Sequence, residues 1–446
     1  MMHHRPGLRN TIRIPQATGG KNTMQCRMGQ AWYTQTYNTP WNLRMNTVPK
    51  PNKQLIIRMR DIRRHLHRHP ELAFAEFATA RFIAEQLKKI GIPCREQVGR
   101  TGIVAGIGGN APDAPCVALR ADMDALPITE QTGLPFASET PGVMHACGHD
   151  GHVAMLLGAA ALLKEKEAEL PGRVLLIFQP AEEGDGGAQG MIDEGAINGA
   201  SMIFAGHIDR LYELGEIVVQ PGLISAFTDE FSIEIRGPGG HAAKPQETSD
   251  CIVAASQLIT NIQAIVARET HPCSPAVITV GTIHGGTAAN VIASEVVLTG
   301  TLRTTSPETR AACLDSLKRM TLAMEQLHRV TTAFTFVAGY PPVINDPAAA
   351  RIATEVAAGI VGQDKVKGQP LPSLGGEDFS FFLQRIPGCL VRFGAKHIKL
   401  HDGPAHSPRF DFDEGVLATG ARFLAQAALY ALARLGERRD RARYKM

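Results

Sequence analysis

Two short runs of this chain carry side chains that could bind metal ions. Residues 145–150 read His-Ala-Cys-Gly-His-Asp, and residues 180–184 read Pro-Ala-Glu-Glu-Gly. Within about forty residues they supply a thiol, imidazoles and paired carboxylates, the ligand types that divalent transition metals take from proteins. Because burying so many ionisable groups is costly without a compensating ion, the two runs predict a metal site with hydrolytic chemistry.

The first run places Cys147 and His149 on either side of a glycine. Since Gly148 permits a tight backbone turn, both side chains can face one site from the start of the helix that follows. A core thiol beside a histidine at a helix terminus explains the same pattern equally well. The neighbouring His145 and His152 are interpreted as supporting or structural residues.

The second run places Glu182 and Glu183 directly after the apolar segment 173–178. Open α/β sheets bind ligands at the carboxyl ends of their strands, which is where this pair is expected. Adjacent side chains point in different directions, so one carboxylate can hold a metal while the other reaches a water. A solvated acidic loop is the alternative, and the apolar character of the preceding strand weighs against it.

Three further positions are less informative when each is taken alone. His207 follows the short apolar run 201–206, and His406 lies in an Ala-His-Ser-Pro stretch near the C-terminus. Single histidines in such places are usually structural. Asp122 and Asp124 end another apolar strand, where one of them could orient a ligand imidazole through a hydrogen bond.

The elements that must position these residues alternate between helix and strand, which predicts an α/β/α domain. Residues 226–338 depart from this pattern and read β-α-β-β-α-β, the order of a ferredoxin-like unit. We therefore predict a larger α/β/α catalytic domain, made of 51–225 and 339–440, that is interrupted by an inserted ferredoxin-like domain. The predicted helices are 52–68, 76–90, 150–166, 249–268, 307–328, 347–361 and 413–435; the predicted strands are 102–107, 116–121, 173–178, 227–236, 276–284, 296–304, 332–337 and 388–394.

The first fifty residues differ in composition from the rest. Residues 1–60 hold ten Lys or Arg and no acidic residue, so the remaining 36 basic and 43 acidic residues carry a net charge of −7. This acidic body gives no support to nucleic-acid binding. We interpret 1–50 as a disordered extension, and we find neither a secretion signal nor an apolar run that could span a bilayer. Eight scattered cysteines then favour reduced thiols and a cytoplasmic setting.

Taken together, several ordered runs resemble one enzyme family. The chain resembles the amidohydrolase branch of the aminoacylase/carboxypeptidase-type dinuclear metallopeptidases, which includes hippurate hydrolases and indoleacetyl-amino-acid hydrolases. The matching runs extend from residue 61 to about 415, nearly all of the chain after the extension. They are RRHLHRHPEL (63–72), RADMDALPI (120–128), HACGHDGH (145–152), QPAEEG (179–184), GPGGHAAKP (237–245), GGEDFS (375–380) and HSP (406–408).

The resemblance implies a role for each candidate residue. It implies two divalent metal ions per subunit (Mn, Zn, Co or Ni), with Glu182 as the general base and Asp124 as an orienting residue behind a ligand. It implies that the inserted domain acts as a lid over the site and provides the interface of a homodimer. It also implies that His241 and Asn290 of this domain contact the substrate. The metal ligands that it implies are Cys147, His149, Glu183, His207 and His406.

The chain also departs from the family pattern at several positions. Gly376 and Ala293 stand where relatives often have alanine and proline, and no proline follows His207 closely. None of these changes removes an implied ligand, so they bear on substrate preference and on the rim of the pocket.

The predicted reaction is hydrolysis of a small N-acyl amino acid, of the hippurate type, to a carboxylic acid and a free amino acid. The alternatives within the family are a dipeptidase or carboxypeptidase, and a deacetylase of N-acetylated diamino acids. Outside it stand a metal-holding binding protein without activity and a cysteine hydrolase that uses Cys147. Retention of Glu182 beside Glu183 argues against a binding protein, which needs no base.

Overall fold

The computed structural model describes residues 47–109, 114–184, 186–396 and 403–443, with side chains described up to residue 437. The predicted disordered extension lies almost entirely outside these residues. The helices of the described part are α1 (Lys53–Arg68), α2 (Phe77–Lys89), α3 (His149–Lys164), α4 (Gly187–Asp193), α5 (Cys251–Ala264), α6 (Pro307–His328), α7 (Pro347–Val361), α8 (Phe379–Leu383) and α9 (Val416–Arg443).

The strands of the same residues range from two-residue pairings to ten or more residues. In chain order they are β1 (Cys94–Val98), β2 (Gly102–Gly108), β3 (Cys116–Asp122), β4 (Arg173–Gln179), β5 (Met202–Glu213), β6 (Ile217–Val218), β7 (Gly222–Leu223), β8 (Phe227–Arg236), β9 (Gly240–His241), β10 (Ala276–Gly285), β11 (Val291–Ile292), β12 (Glu295–Thr304), β13 (Thr331–Val337), β14 (Ile344–Asn345), β15 (Val366–Lys367) and β16 (Gly388–Lys396).

The larger sheet has eight strands in the order β1-β2-β4-β3-β5-β16-β6-β15. Its centre is parallel, since β3 pairs in parallel with both β4 and β5, and β5 with β16. β3 is buried along its whole length and β4 from its second residue, as expected for parallel strands covered on both faces. All the parallel strands at the centre therefore end at one edge.

Helices cover both faces of this sheet. Ala118, Leu175 and Ile177 pack with Met191 of α4 and Phe379 of α8 in one apolar cluster. The alternate residues of the same strands point the other way, towards α3 and α9, which also pack against each other. The result is the α/β/α layering that the sequence predicts.

The smaller sheet has four antiparallel strands in the order β10-β12-β8-β13. One of its faces packs against α5 and α6 around residues such as Ile233, Leu258, Leu298 and Leu317, all 0% exposed. In the chain these elements follow the order β8-α5-β10-β12-α6-β13, between strands of the larger sheet. The predicted α/β fold with an inserted ferredoxin-like unit is thus confirmed, while its domain boundaries stay predictions.

The structure differs from the sequence prediction mainly where the apolar pattern is short or mixed. β1, α4 and α8 were not predicted, and the predicted run before His207 is the first half of a longer strand, β5. The second half of β5 includes Asp209, Arg210 and Glu213 and so lacks a continuous apolar run. Hydrogen bonding to β16 extends the strand, so His207, which directly follows the apolar run 201–206, lies inside a strand and not after its end.

Two helical segments are long and apolar enough to cross a membrane by length and composition. The first is Cys251–Glu269, which is α5 continued by the π-helical turn Ile265–Glu269, and the second is Val416–Glu437 of α9. The sequence expectation that no segment meets this test is therefore wrong. In the second helix 72% of the apolar stretch is buried in the protein, and in the first 33%. The second packs against α3 and α7 as a core helix does, so these helices are weak evidence for a membrane span.

Candidate metal centre

The carboxyl edge of the parallel strands gathers most of the residues singled out in the sequence. Asp122 ends β3, Glu182 and Glu183 follow β4, and His207 lies in β5. Cys147 and His149 reach the same place from the start of α3. His406 comes from the C-terminal segment, which is joined to the 145–149 loop by a hydrogen bond from the His406 N–H to the Ala146 carbonyl, 2.8 Å.

The donor atoms of these side chains lie close together. Three overlapping groups, each with atoms within 4.8 Å of one another, are Cys147–His149–His207, Cys147–Glu183–His406 and His149–Glu182–Glu183. Cys147 Sγ is 3.5 Å from His207 Nε2, and His406 Nε2 is 3.1 Å from Glu183 Oε1. All five predicted ligands and Glu182 therefore form one cluster, and their assignment as ligands stays a prediction.

A glycine in the left-handed region explains how the first run turns into α3. Gly148 precedes the helix with φ of 101°, a conformation that costs a residue with a side chain roughly 1–2 kcal/mol. A Cβ there would lie 3.4 Å from the Ile208 side chain. The turn brings Cys147 and His149 to the same side of the helix start, as the spacing predicts.

Two of the three candidate histidine ligands, His149 and His207, are oriented by a hydrogen bond on the far side of the ring. His149 Nδ1 donates to the Asp124 carbonyl, 3.0 Å, and its distance to Asp124 Oδ1 is 3.3 Å. His207 Nδ1 donates to the Ile208 carbonyl, 2.7 Å. Both Nε2 atoms therefore face the cluster, as in metal-binding histidines whose second nitrogen is held by an oxygen.

His152 and Asp124 support the cluster from behind. His152 Nδ1 donates to Asp122 Oδ1, 2.6 Å, and its Nε2 accepts the Ile208 N–H, 2.8 Å, which fixes β5 next to His207. The Asp124 carboxylate accepts the Glu183 N–H, 3.0 Å. His152 is thus a supporting residue, and Asp124 lies behind both His149 and the Glu183 turn.

A buried arginine neutralises part of the negative charge beside the cluster. Arg120 pairs with Asp122 (2.6 Å), Glu377 (3.0 Å) and Asp378 (2.9 Å).

Burial, and then the neighbouring carboxylates Glu377 and Glu183, raise the pKa of Glu182 well above its usual value. Glu182 is therefore a buried carboxylate with a strong tendency to take up a proton.

The residues present fit a bound cation. Buried atoms that make no hydrogen bond of normal geometry among the described residues include His149 Nε2 and Glu183 Oε1, although His406 Nε2 lies 3.1 Å from that oxygen. His149 Nε2 stands 3.9 Å from both Glu182 Oε2 and Glu183 Oε1, close to the separation of about 3.5 Å that two ligands of one zinc-sized ion adopt. Unpaired buried polar atoms are rare and costly, so a bound cation would stabilise these atoms by serving as their missing partner.

The thiol supports the same conclusion. Burial, and then the Glu183 carboxylate, raise the pKa of Cys147 well above its usual value. Without a cation the thiol stays protonated, and with one it can bind as a thiolate. None of the seven described cysteines forms a disulfide.

The first matching run builds a separate support below the site. Arg63 of α1 pairs with Asp150 (2.9 Å) and Asp411 (2.6 Å), and His67 Nδ1 lies 2.8 Å from the same Asp150. These bonds tie α1 to the start of α3 and to the C-terminal segment. His145 is buried nearby, neither of its ring nitrogens has a partner among the described residues, and burial lowers its pKa to about 4.

The two predicted substrate contacts lie elsewhere in the described structure. His241 and Asn290 are exposed and adjacent, on the ribbon of β9 and β11, where the Ala242 N–H donates to the Asn290 carbonyl, 3.1 Å. His241 Nδ1 accepts the Ala243 N–H, 3.0 Å. The structure brings neither into contact with the cluster, and their role stays a prediction.

Sequence reasoning missed several residues that hold the site. Arg120, Glu377 and Asp378 stood within matching runs but received no role, although a charged residue inside an apolar strand is a usable signal for Arg120. Glu76 and Tyr340, which bond the turn that carries Glu182, gave no signal, because their partners are more than 100 residues away.

Comparisons with known proteins point to one enzyme family. Residues 118–430 match the model of peptidase family M20/M25/M40. The chain is 42% identical over 385 residues to an N-acetyl-L-cysteine deacetylase of Bacillus subtilis, covering 84% of this chain and 88% of that protein. It is 39% identical over 373 residues to the IAA-amino acid hydrolase ILR1-like 4 of Arabidopsis thaliana, covering 82% and 84%.

A solved structure gives the same result. The YXEP protein of Bacillus subtilis, a dinuclear metal-binding peptidase from the M20 family, superposes with a TM-score of 0.74 at 36% identity, covering 86% of this chain and 99% of that one. The layered fold, the cluster at the carboxyl edge and these likenesses lead to one conclusion: the chain belongs to peptidase family M20/M25/M40 and is a hydrolase of its amidohydrolase branch.

Proposed function

We propose that this chain hydrolyses the amide bond of small N-acyl amino acids, of the hippurate type, to a carboxylic acid and a free amino acid. The observation that carries the proposal is the convergence of metal-binding side chains around the buried and unbonded His149 Nε2, beside the carboxylates of Glu182 and Glu183. The names of two relatives, a deacetylase of an N-acetyl amino acid and an amino acid conjugate hydrolase, support this substrate class.

We assign two divalent metal ions to this cluster. Bound ions of this kind polarise an amide carbonyl and lower the pKa of water towards neutrality. The mixed sulfur, nitrogen and oxygen donors are compatible with Mn, Zn, Co or Ni. The residues that would hold them are Cys147, His149, Glu183, His207 and His406.

Glu182 is the proposed general base. Glu182 is 7% exposed and its Oε2 lies 3.9 Å from His149 Nε2, so its carboxylate borders the cluster. There it accepts a proton from water and later delivers it to the departing amide nitrogen. His241 and Asn290 are the proposed substrate contacts, and a donor such as His241 would stabilise the developing oxyanion.

The proposal extends to the assembly and its setting. We propose catalytic parts 51–225 and 339–440, an inserted domain 226–338 that acts as lid and homodimer interface, and a cytoplasmic location. Support for a dimer comes from exposed apolar side chains on α5 and the edge strand β10: Val253 is 52% exposed and Ile283 is 49% exposed. Edge strands of this kind are prone to pair with another chain.

The test is a substrate screen on purified full-length protein with metal analysis. We expect bound divalent metal, turnover of N-benzoyl and N-acetyl amino acids with added Mn²⁺, and loss of activity with EDTA that Mn²⁺ restores. Turnover that survives complete demetallation would overturn the proposal in favour of a hydrolase that uses the Cys147 thiol.

The acyl-group profile separates the related alternatives. A preference for free dipeptides over N-acyl amino acids would indicate a dipeptidase or carboxypeptidase. A restriction to acetyl groups would indicate a deacetylase, which the 42% identity to an N-acetyl-L-cysteine deacetylase favours as the second candidate. Binding of metal without turnover of any amide would indicate a binding protein.

A further inference from the structure

The turn that carries Glu182 and Glu183 is held by side chains from distant parts of the chain. Its first residue, Ala181, has φ of 53°, a left-handed conformation that is unfavourable for alanine. The Ala181 N–H donates to the buried carboxylate of Glu76, 2.9 Å, and the Glu183 N–H donates to Asp124, 3.0 Å. The amide groups of this turn are therefore fixed by two carboxylates.

The carbonyl groups of the same turn are fixed by one tyrosine. Tyr340 Oη lies 2.8 Å from the Glu182 carbonyl oxygen and 2.9 Å from the Gly184 carbonyl oxygen. A single hydroxyl proton is thus shared across both sides of the turn. The ring packs edge-on against the Phe381 ring, with 6.0 Å between the ring centroids. The backbone of Gly186 approaches its other side so closely that an added Cβ would lie 3.2 Å from the ring.

Tyr340 also stands where the chain leaves the four-stranded sheet. The Thr228 N–H, at the start of β8, donates to the Tyr340 carbonyl, and the Tyr340 N–H donates to Thr228 Oγ1, both 3.1 Å. The chain entering this sheet and the chain leaving it are therefore hydrogen-bonded at Tyr340.

A second link ties this junction to a helix of the inserted unit. The Gly339 N–H donates to Asp229, 3.2 Å, and Asp229 is bound by both ends of the Arg310 guanidinium of α6, at 2.7 and 2.8 Å. A continuous series of bonds thus runs from α6 through the junction to the turn. Bidentate pairs of this type fix orientation as well as distance.

We propose that Tyr340 is a positioning residue, whose hydroxyl sets the backbone of the 182–184 turn and couples the direction of both carboxylates to the attachment of the four-stranded sheet. The inference rests on the proposed function, since it matters only if Glu182 and Glu183 act as assigned. A small displacement of reacting groups is enough to slow an enzyme about a hundredfold, so one hydroxyl at this place has a measurable effect.

The test compares Tyr340→Phe with the wild-type protein and with Tyr430→Phe. The first variant keeps the ring and removes only the hydroxyl. The control removes a hydroxyl of α9 that is bonded to Glu355 of α7, neither of which takes part in the series of bonds around the turn. We expect Tyr340→Phe to lower kcat about 10- to 100-fold with KM changed less than about twofold, and to weaken Mn²⁺ binding to the demetallated protein by a similar factor. Tyr430→Phe should leave both quantities at wild-type values.

Two results would overturn the inference. One is wild-type kcat and Mn²⁺ affinity in Tyr340→Phe; the other is an equal loss in both tyrosine variants. If Tyr340→Phe does not fold, Thr228→Val carries the test, because it removes the acceptor of the Tyr340 N–H; a fall in kcat supports the inference and unchanged kcat contradicts it. Glu182→Gln separates the two proposals: full activity of that variant defeats the proposed function, whereas an inactive Glu182→Gln with a fully active Tyr340→Phe defeats only the role of Tyr340.

Discussion

The carboxyl edge of the large sheet and the β9–β11 ribbon present their polar residues in opposite ways. At the edge, Glu182, His149 and His207 are mostly buried, and each is oriented by a partner or by its backbone. On the ribbon, His241 and Asn290 are exposed, and the hydrogen bonds that they form with other described residues are to the nearby backbone. The first region is organised before any substrate arrives, while the second lies apart from the cluster. This difference predicts that substitutions in the two regions will affect different quantities.

The largest effect is expected at the organised edge. Glu182→Gln removes the proposed base at almost constant volume, so kcat should fall about 10²- to 10⁴-fold, while bound metal stays at the wild-type level. Steady-state kinetics and metal analysis measure both quantities. Glu230→Gln, on an exposed position of β8, is the matched control and should change neither. A kcat within threefold of wild type in Glu182→Gln would refute the base assignment.

The next effect tests whether the ribbon acts at all. His241→Ala should lower kcat about 10²- to 10³-fold, the usual cost of removing one oxyanion donor, without altering the free energy of unfolding, because the side chain is exposed. His284→Ala, exposed on β10, serves as the control. Unchanged kcat in His241→Ala would mean that the residues at the carboxyl edge of the large sheet catalyse the reaction without His241 of the β9–β11 ribbon.

Metal binding should stabilise the edge measurably. Adding Mn²⁺ to demetallated protein at a hundred times its dissociation constant should raise the free energy of unfolding by about 2.7 kcal/mol, as seen in urea titrations. Cys147→Ala should lose most of this increment, because it removes an assigned ligand. The exposed Cys273→Ala should keep it. An equal increment in both cysteine variants would exclude Cys147 as a ligand.

The smallest effect concerns the support below the edge. Although burial opposes a charged imidazole, hydrogen bonds to Asp150 and Glu130 raise the pKa of His67. A raised histidine pKa contributes stability that is fully present below about pH 6.5 and is lost as the pH rises through the folded value. The destabilisation caused by His67→Gln should therefore be greatest near pH 6 and shrink towards pH 9.

Urea unfolding at several pH values, with Mn²⁺ held constant, measures this change. His284→Gln, whose side chain is exposed, should show no such dependence. A destabilisation by His67→Gln that grows with rising pH would contradict the charged pairing of His67 with Asp150.

Most long elements of the fold could be predicted from the sequence. The helices α1, α6 and α7 and the strands β4, β8 and β13 begin and end within about two residues of the predicted bounds, which is the usual scatter of element ends. Their apolar residues repeat with the period of a helix or fill a buried strand. The short α4 and α8 and the polar half of β5 lack such patterns, so tertiary contacts decide them.

The sequence by itself determined which side chains could bind a metal ion, because ligand types, glycine turns and strand ends are local properties of Cys147, Gly148 and Glu183. Only the tertiary structure decided how that chemistry is held. The supporting hydrogen bonds join residues that are 105 to 257 positions apart in the chain. They are Arg120 with Glu377, Glu76 with Ala181, and Tyr340 with Glu182. Hydrogen bonds can join residues at any separation in the chain. The packing of sheets and helices determines which residues become partners, and a local sequence pattern does not reveal that packing.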